Sequence, residues 1–451
     1  VDGSSERESR RVARRAVDRD IMRLAVPALG ALIAEPLFLL TDSALVGHLG
    51  LAPLAGLGIA SVVLQTIIGL MVFLAYATTP AVARRLGAGD ERGGVSVGID
   101  GMWLALGLGV VLAAAGAVLT PALVSLFGAE PAVVEQATTY LSISMLGLPA
   151  MLIVFAATGV LRGLQDTRTP LVVAVGGFGA NAALNAVLIY GAGWGIAGAA
   201  WGTVIAQWGM VAAYVAVVLH HARRTGATIR PQRDGIRGSA LSGGWLLLRT
   251  ASLRAALLIA TVVATGIGTA ELAGFHVVLT IFSTLAFALD ALAIAAQALV
   301  GKGLGAADVD FVRAVLRRCL VWGVGGGVAL GALLAAASPV AGLVFTGSPD
   351  AAALIAPSLV VLAVGTPLAG YVFVLDGVLI GAGDARYLAL TGLVNLAVFV
   401  PLALATATWA GGGVAGLAWL TAAFAIGYMA ARATTLGLRA RGSAWQRTGA
   451  A

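Results

Sequence analysis

The stretch "EPLFLLTDSALVGHLG", residues 35–50, carries two carboxylates, Glu35 and Asp42, with Pro36 between them. Almost everything around it is Leu, Ala, Val, Ile or Gly. A carboxylate inside a bilayer costs at least about 2.5 kcal/mol on insertion scales. It stays there only if it neutralises, pairs, or faces water or a cation. What the rest of the chain offers these two acids decides how the sequence is read.

The surroundings are those of a membrane protein. Of 451 residues, 59% are hydrophobic and only 11% charged, with a mean hydropathy of +0.97. A soluble globular protein carries roughly 25% charged residues, so this chain has too few to coat its own surface. Apolar runs longer than about 18 residues recur from end to end. They predict an all-α integral membrane fold of twelve helices near 21–47, 54–80, 96–119, 132–158, 170–190, 196–219, 242–265, 272–299, 314–337, 352–379, 387–408 and 414–436. The 61 glycines suit close helix packing in lipid. Cys319 is the single cysteine, which excludes an intrachain disulfide and a Cys-based metal site; it reads as a packing residue near a helix end. His220 and His221, among arginines, read as solvated loop residues.

The connections alternate in charge. "ARRLGAGDERGG", "LRGLQDTRTP", "HHARRTGATIRPQRDGIRGS", "GKGLGAADVDFVRAVLRR", "GAGDARY" and the tail "LRARGSAWQR" are basic. "HLGLAP", "TPALVSLFGAEP", "GAGWG", "GIGTAE", "SPVAGLVFTGSP" and "WAGGG" contain no Lys or Arg. The positive-inside rule places the first set and both termini in the cytoplasm. The net charge of +7 is then an orientation signal, not a nucleic-acid footprint. The basic start, "VDGSSERESRRVARRAVDRDIMR", lacks a cleavage site and reads as a tail leading into a retained helix. Trp194, Trp201, Trp409 and Trp419 lie near predicted helix ends, as interfacial anchors do.

Shifted by 218 residues, the sequence matches itself. Leu86-Gly87-Ala88 with Asp90 falls on Leu304-Gly305-Ala306 with Asp308. Phe127 and Pro131 meet Phe345 and Pro349, Gly163 and Asp166 meet Gly381 and Asp384, and Gly198 and Trp201 meet Gly416 and Trp419. Each half holds six spans, so the halves form a parallel repeat. The expected organisation is a tail at 1–20, an N-lobe at 21–219, a linker at 220–241, a C-lobe at 242–436 and a tail at 437–451. Two similar bundles with a flexible join suggest alternating access.

The polar residues break the repeat. Glu35 maps to Leu253, Asp42 to Ala260, Asn181 to Phe399, Asn185 to Ala403, Gln207 to Ala425 and Tyr140 to Ser358; only Thr203 keeps its kind, at Thr421. The scaffold is duplicated and the polar set is not. Glu35 and Asp42 are seven residues apart, nearly two turns, and share a predicted helix face. Asn181 with Asn185, and Thr203 with Gln207, are each one turn apart. Beyond Arg23 at the entrance to the first helix, no Lys or Arg lies within the predicted spans of this half. A protonatable acid, or a site for a small cation or cationic substrate, remains. Glu35-Pro36 also reads as a helix-shaping pair, and the neutral polar residues as interhelical hydrogen bonds. Pro27 and Pro36 interrupt the first helix and kink it, as a hinge or as a static bend. In the second half, Arg249, Arg254, Asp290 and Asp376 mix signs and read first as structural ion pairs. Asp290 and Asp376 are secondary candidates for a substrate or proton site. No nucleophile triad, zinc motif or ATP-binding segment appears, so an enzyme is not expected.

Taken together, "EPLFLLTDSALVGHLG" with "LAPLAGLGIA", the "LRGLQDTRTP" turn and "LDGVLIGAGDAR" resemble the multidrug and toxic compound extrusion (MATE) family, in its DinF-like branch, across all twelve helices. The resemblance implies export of organic compounds against inward H⁺ or Na⁺. It needs no cofactor and implies a monomer in the inner membrane. It makes Asp42 the functional acid, matches Tyr140, Asn181 and Thr203 to a polar network, and makes Pro27 the bending proline. There are departures. Asn185 and Gln297 stand where relatives can carry acids, and the region from Arg249 to Arg254 lacks the glutamate of another branch. One carboxylate at the network's core favours H⁺. The expectation is a proton-coupled exporter of lipophilic, often cationic, compounds, with Asp42, Gln207, Asp290 and Asp376 as substrate contacts. The alternatives are Na⁺ coupling on the same fold, or a lipid-linked precursor flippase. The flippase calls for a cation-lined cavity and usually extra spans.

Overall fold

The computed structural model describes residues 2–345 and 349–449, with residues 2–11, 13, 342–345 and 349–351 described as backbone only. Residues 346–348, near the end of the "SPVAGLVFTGSP" connection, lie outside them. The described residues form twelve helices long and apolar enough to cross a membrane. They are α1 (Asp2–Gly47), α2 (Leu51–Gly87), α3 (Glu91–Ser125), α4 (Pro131–Gly163), α5 (Arg168–Gly191) and α6 (Gly195–Thr225). The second half supplies α7 (Arg233–Ile267), α8 (Thr269–Gly305), α9 (Val309–Phe345), α10 (Pro349–Gly381), α11 (Ala385–Trp409) and α12 (Gly413–Arg441).

Most helices outrun the apolar windows that predict them. Basic residues are good helix formers and end a helix well where its carbonyls point to water. The expected tail at 1–20 is helical from Asp2 onward, in one rod with the first span. Arg84 and Arg162, outside the predicted spans, are buried residues of α2 and α4. They lie in the last turns of α2 and α4, whereas Asp42 is near the last turn of α1. Since α1 runs antiparallel to both, the arginines are at the other end of the bundle. His220 and His221, expected in a loop, sit on α6 with their rings 6.2 Å apart. Cys319 is fully buried on α9.

The expected linker at 220–241 is not a flexible join. α6 runs to Thr225 and α7 starts at Arg233, leaving residues 226–232 between them. Those residues are tied to α3. The Gln232 N–H donates to Asp100 Oδ1 at 2.8 Å and Trp103 Nε1 donates to the Ile229 carbonyl at 3.1 Å. Asp100 is itself buried. Basic composition signals the side of the membrane and hides this anchoring. Asp100→Ala should leave the fold intact while trypsin cuts after Arg233 several-fold faster; an unchanged rate would mean that Asp100 does not hold the segment.

The repeat has a physical basis in its turns. Asp90 caps α3, accepting from the Gly93 N–H at 2.8 Å, and Asp308 caps α9, accepting from the Phe311 N–H at 2.9 Å. Asp166 accepts the Arg168 and Thr169 N–H groups at 3.0 Å each. The residues before these aspartates are left-handed in both halves: Gly89 with Ala307, and Gln165 with Gly383. One member of each pair is not glycine, at a cost of roughly 1–2 kcal/mol.

The chain divides into two compact units. One comprises Pro27–Gly243; the other comprises residues 2–26 together with 244–449. Both crossings fall inside helices, α1 and α7, at positions that agree to within one residue under the 218-residue shift. In the second unit the start of α1 is pinned to α9. Arg318 donates to both oxygens of Asp18, at 2.7 and 2.6 Å, and Trp322 Nε1 donates to Asp18 at 3.0 Å.

Candidate functional site

The first unit gathers four of the polar residues that break the repeat, together with Thr203, which keeps it. α1 supplies Asp42, α4 supplies Tyr140, α5 supplies Asn181 and Asn185, and α6 supplies Thr203; all five are buried. The Thr203 hydroxyl donates to the Ala199 carbonyl at 3.0 Å, as threonines in apolar helices do. Its oxygen is left to accept, and Asn181 Nδ2 donates to it at 2.9 Å. Asn181 Oδ1 accepts from Asn185 Nδ2 at 3.2 Å, which also donates to Asp42 Oδ1 at 2.5 Å. The Tyr140 hydroxyl donates to Asp42 Oδ2 at 3.1 Å. A hydrogen-bonded chain thus runs from the backbone of α6 to a single carboxylate on α1.

Both oxygens of Asp42 face donors. A hydrogen bond to a charged group contributes about 1.5–3 kcal/mol. Two of them offset the roughly 2.5–3.5 kcal/mol that insertion scales charge for an aspartate at mid-membrane. The balance is close, so the charged and neutral forms of Asp42 are each accessible when the network changes.

One atom stands out. Asn185 Oδ1 is buried without a hydrogen-bond partner. It lies against Gly202 of α6, where any side chain would collide with it. α5 then leaves the α-helical path in a π turn, Val187–Gly191, which carries Tyr190. The Tyr190 hydroxyl donates to the Leu45 carbonyl at 2.6 Å and so holds α1 one turn beyond Asp42. Sequence reasoning misses Tyr190, because a π turn has no composition signal.

Other predicted residues lie outside this chain of hydrogen bonds. Glu35 is exposed, although helical periodicity puts it on the face of Asp42. Periodicity fixes direction, but burial depends on what packs at each level. Gln207, one turn from Thr203, is half-buried and lies against Gly147 of α4. Pro27 and Pro36 lie within the continuous helix α1.

In the second unit Asp376 of α10 is buried between two arginines, Arg249 of α7 and Arg432 of α12. Arg432 is not among the residues the sequence singles out. Asp290 is half-buried on α8 and Arg254 is exposed on α7. Gln297 is buried on α8.

The MatE family model matches residues 27–187 and again 249–405, one segment in each half. Protein DETOXIFICATION 44, chloroplastic, of Arabidopsis thaliana is 30% identical over 387 residues, covering 83% of this chain and 74% of its own. DNA damage-inducible protein F of Escherichia coli (strain K12) is 29% identical over 324 residues, covering 67% and 68%. Among solved structures, a MOP superfamily transporter from Pyrococcus furiosus superimposes with a TM-score of 0.85 at 24% identity, over 96% of this chain and 97% of that one. The Vibrio cholerae MATE transporter VcmN in its bent form gives 0.84 at 20%, over 95% and 98%.

Proposed function

The chain belongs to the MATE family of multidrug efflux transporters, whose members move substrates and are not enzymes, and on that premise we propose a proton-coupled exporter of small organic compounds, lipophilic cations among them, with Asp42 as the proton-accepting group. The observation that carries this reading is the hydrogen-bonded chain ending on one carboxylate. A Na⁺ site needs converging oxygen acceptors and gains from a second negative charge. Here both Asp42 oxygens are met by N–H and O–H donors, and the other four residues are neutral.

Protonation makes Asp42 a donor, and the donors now aimed at it no longer fit. Asn185 Oδ1 is the nearby acceptor with nothing bonded to it. Turning the Asn185 amide over presents that oxygen to the new O–H. Asn181 Oδ1 then loses its donor, and the change passes along α5 to Thr203 on α6. Pro27 and Pro36 remove backbone hydrogen bonds from α1, so the helix that carries the acid is the one least braced against bending. A bend of α1 on protonation is the step that releases substrate outward. Purified protein in proteoliposomes, given pH and Na⁺ gradients separately, should follow the pH gradient with Na⁺ absent; a strict requirement for Na⁺ would defeat the proposal.

The proposed setting is the cytoplasmic membrane, as a monomer, with both termini and residues 226–232 on the cytoplasmic side. The charge alternation of the connections supports this. With Cys319→Ala as background, Arg233→Cys should react with an impermeant maleimide in everted vesicles and stay unlabelled in intact cells. Labelling in intact cells would reverse the orientation.

A further inference from the structure

The second unit contains a buried polar cluster that proton coupling at Asp42 does not use. α7 brings Arg249, α10 brings Asp376, and α12 brings Tyr428 and Arg432. Arg249 Nη2 meets Asp376 Oδ2 directly. Arg432 Nη2 stops 3.5 Å from Asp376 Oδ1, beyond the roughly 2.7–2.9 Å of a charge-assisted hydrogen bond. Its guanidinium carbon lies 6.0 Å from the centroid of the Tyr428 ring. The Tyr428 hydroxyl is buried and has no hydrogen-bond partner, whereas buried hydroxyls nearly always find one.

The internal repeat shows that holding the helices together does not require these charges. Under the 218-residue shift, Thr158 falls on Asp376 and Tyr214 on Arg432. In the first unit that pair is a neutral hydrogen bond, the Thr158 hydroxyl donating to the Tyr214 hydroxyl at 3.1 Å. The same two helix positions are therefore tied without a buried ion. Arg249 and Tyr428 fall on Ala31 and Met210. Buried ion pairs add little stability over well-packed neutral groups, so the second unit carries its charges for another purpose. Its backbone differs at the same place. α12 makes a π turn over Ala423–Tyr428, while α6 is α-helical throughout Gly195–Thr225. Single π turns inside helices recur at functional sites.

The cluster offers donors without a matching acceptor: an arginine held off its carboxylate and a tyrosine hydroxyl with nothing to bond. Aromatic rings stand beside it, Phe399 at 5.2 Å and Phe424 at 6.1 Å from the Tyr428 ring. The side chains of Arg249, Asp376 and Arg432 are each about a tenth exposed, so the cluster is not sealed. We propose that the Arg432 guanidinium and the Tyr428 hydroxyl, with Asp376 held back by Arg249, form a second binding site that takes the carboxylate of an amphipathic organic anion. It extends the substrate range of the proposed exporter to acids.

The test is equilibrium binding to the purified full-length protein in phosphatidylcholine nanodiscs, with no gradient imposed. The probes are dansylglycine, an aromatic carboxylate, and its uncharged amide. The carboxylate should bind saturably and at least tenfold more tightly than the amide. Tyr428→Phe removes only the unbonded O–H and should weaken the carboxylate about three- to tenfold. Arg432→Gln should weaken it tenfold or more, and Arg432→Lys should recover part of the loss. Binding is read with no gradient and no transport, so failure of proton coupling in proteoliposomes leaves this result standing, and the reverse holds too. Equal binding of acid and amide would overturn the proposal. So would carboxylate binding that is indifferent to Tyr428→Phe in folded protein. Loss of probe binding on adding anionic phosphatidylglycerol would assign the site to a lipid headgroup and likewise overturn it.

Discussion

Asp42→Asn should reduce coupled efflux to the level of empty membranes, a loss of at least about a hundredfold, while the protein still folds and inserts. Asparagine keeps the shape of aspartate and removes the exchangeable proton. It also faces one of the two donors, Tyr140 or Asn185, with an NH₂ group. The chain to Thr203 is then held in one arrangement whatever the pH. Efflux of a lipophilic cation from everted vesicles, at matched expression, measures the loss. Asn185→Ala should be milder, about ten- to a hundredfold, because it removes one hydrogen bond to a charged group and leaves the acid in place. If Asp42→Asn exports normally, the acid is structural.

Gly163→Leu and Gly381→Leu should each cut the yield of folded, monodisperse protein at least about tenfold, through opposite halves of the chain. Gly159 and Gly163 on α4 lie against the backbone of α2; an added Cβ would come within 2.7 Å of the Ala75 carbonyl oxygen or 2.8 Å of that of Thr79. The shift carries all four residues to Gly377, Gly381, Ala293 and Gln297. There an added Cβ would come 2.7 Å from the Cα of Ala293 or 2.5 Å from the carbonyl oxygen of Gln297. In lipid, helices associate by close packing of small residues, since burial from water supplies no drive between them. Overfilling such a contact costs about 1–3 kcal/mol or more, since here backbone must move. Size-exclusion profiles of detergent extracts decide it; a normal profile for either variant would mean that the helices can spread at no cost.

These two predictions rest on features of unequal legibility. The glycine contacts show in the sequence as part of the repeat, because small residues on a shared face have one use in lipid. The chain from Asp42 to Thr203 is legible for a related reason. Polar residues at one-turn spacing on apolar helices have nowhere to point but inward. Arg432 is not legible. It lies near the end of the last span, close to the basic tail, where arginine ordinarily marks the membrane surface. The repeat pairs it with a tyrosine and gives no warning of charge. Tyr428 and Tyr190 depend on π turns, which arise from packing and leave no periodic trace. Glu35 misleads because periodicity reports direction and not coverage. The join between the halves misleads because composition records charge, while the buried Asp100 that fixes the Gln232 backbone lies more than a hundred residues away in sequence.

In the proposed mechanism substrate and proton compete through Asp42. By linkage, a substrate that prefers the deprotonated network must expel the proton when it binds. Purified protein in weakly buffered detergent solution near neutral pH, with a pH-sensitive dye, should release protons when a lipophilic cation is added. The release should saturate with the substrate and be absent in Asp42→Asn. No release from the unsubstituted protein, or undiminished release from Asp42→Asn, would contradict the account.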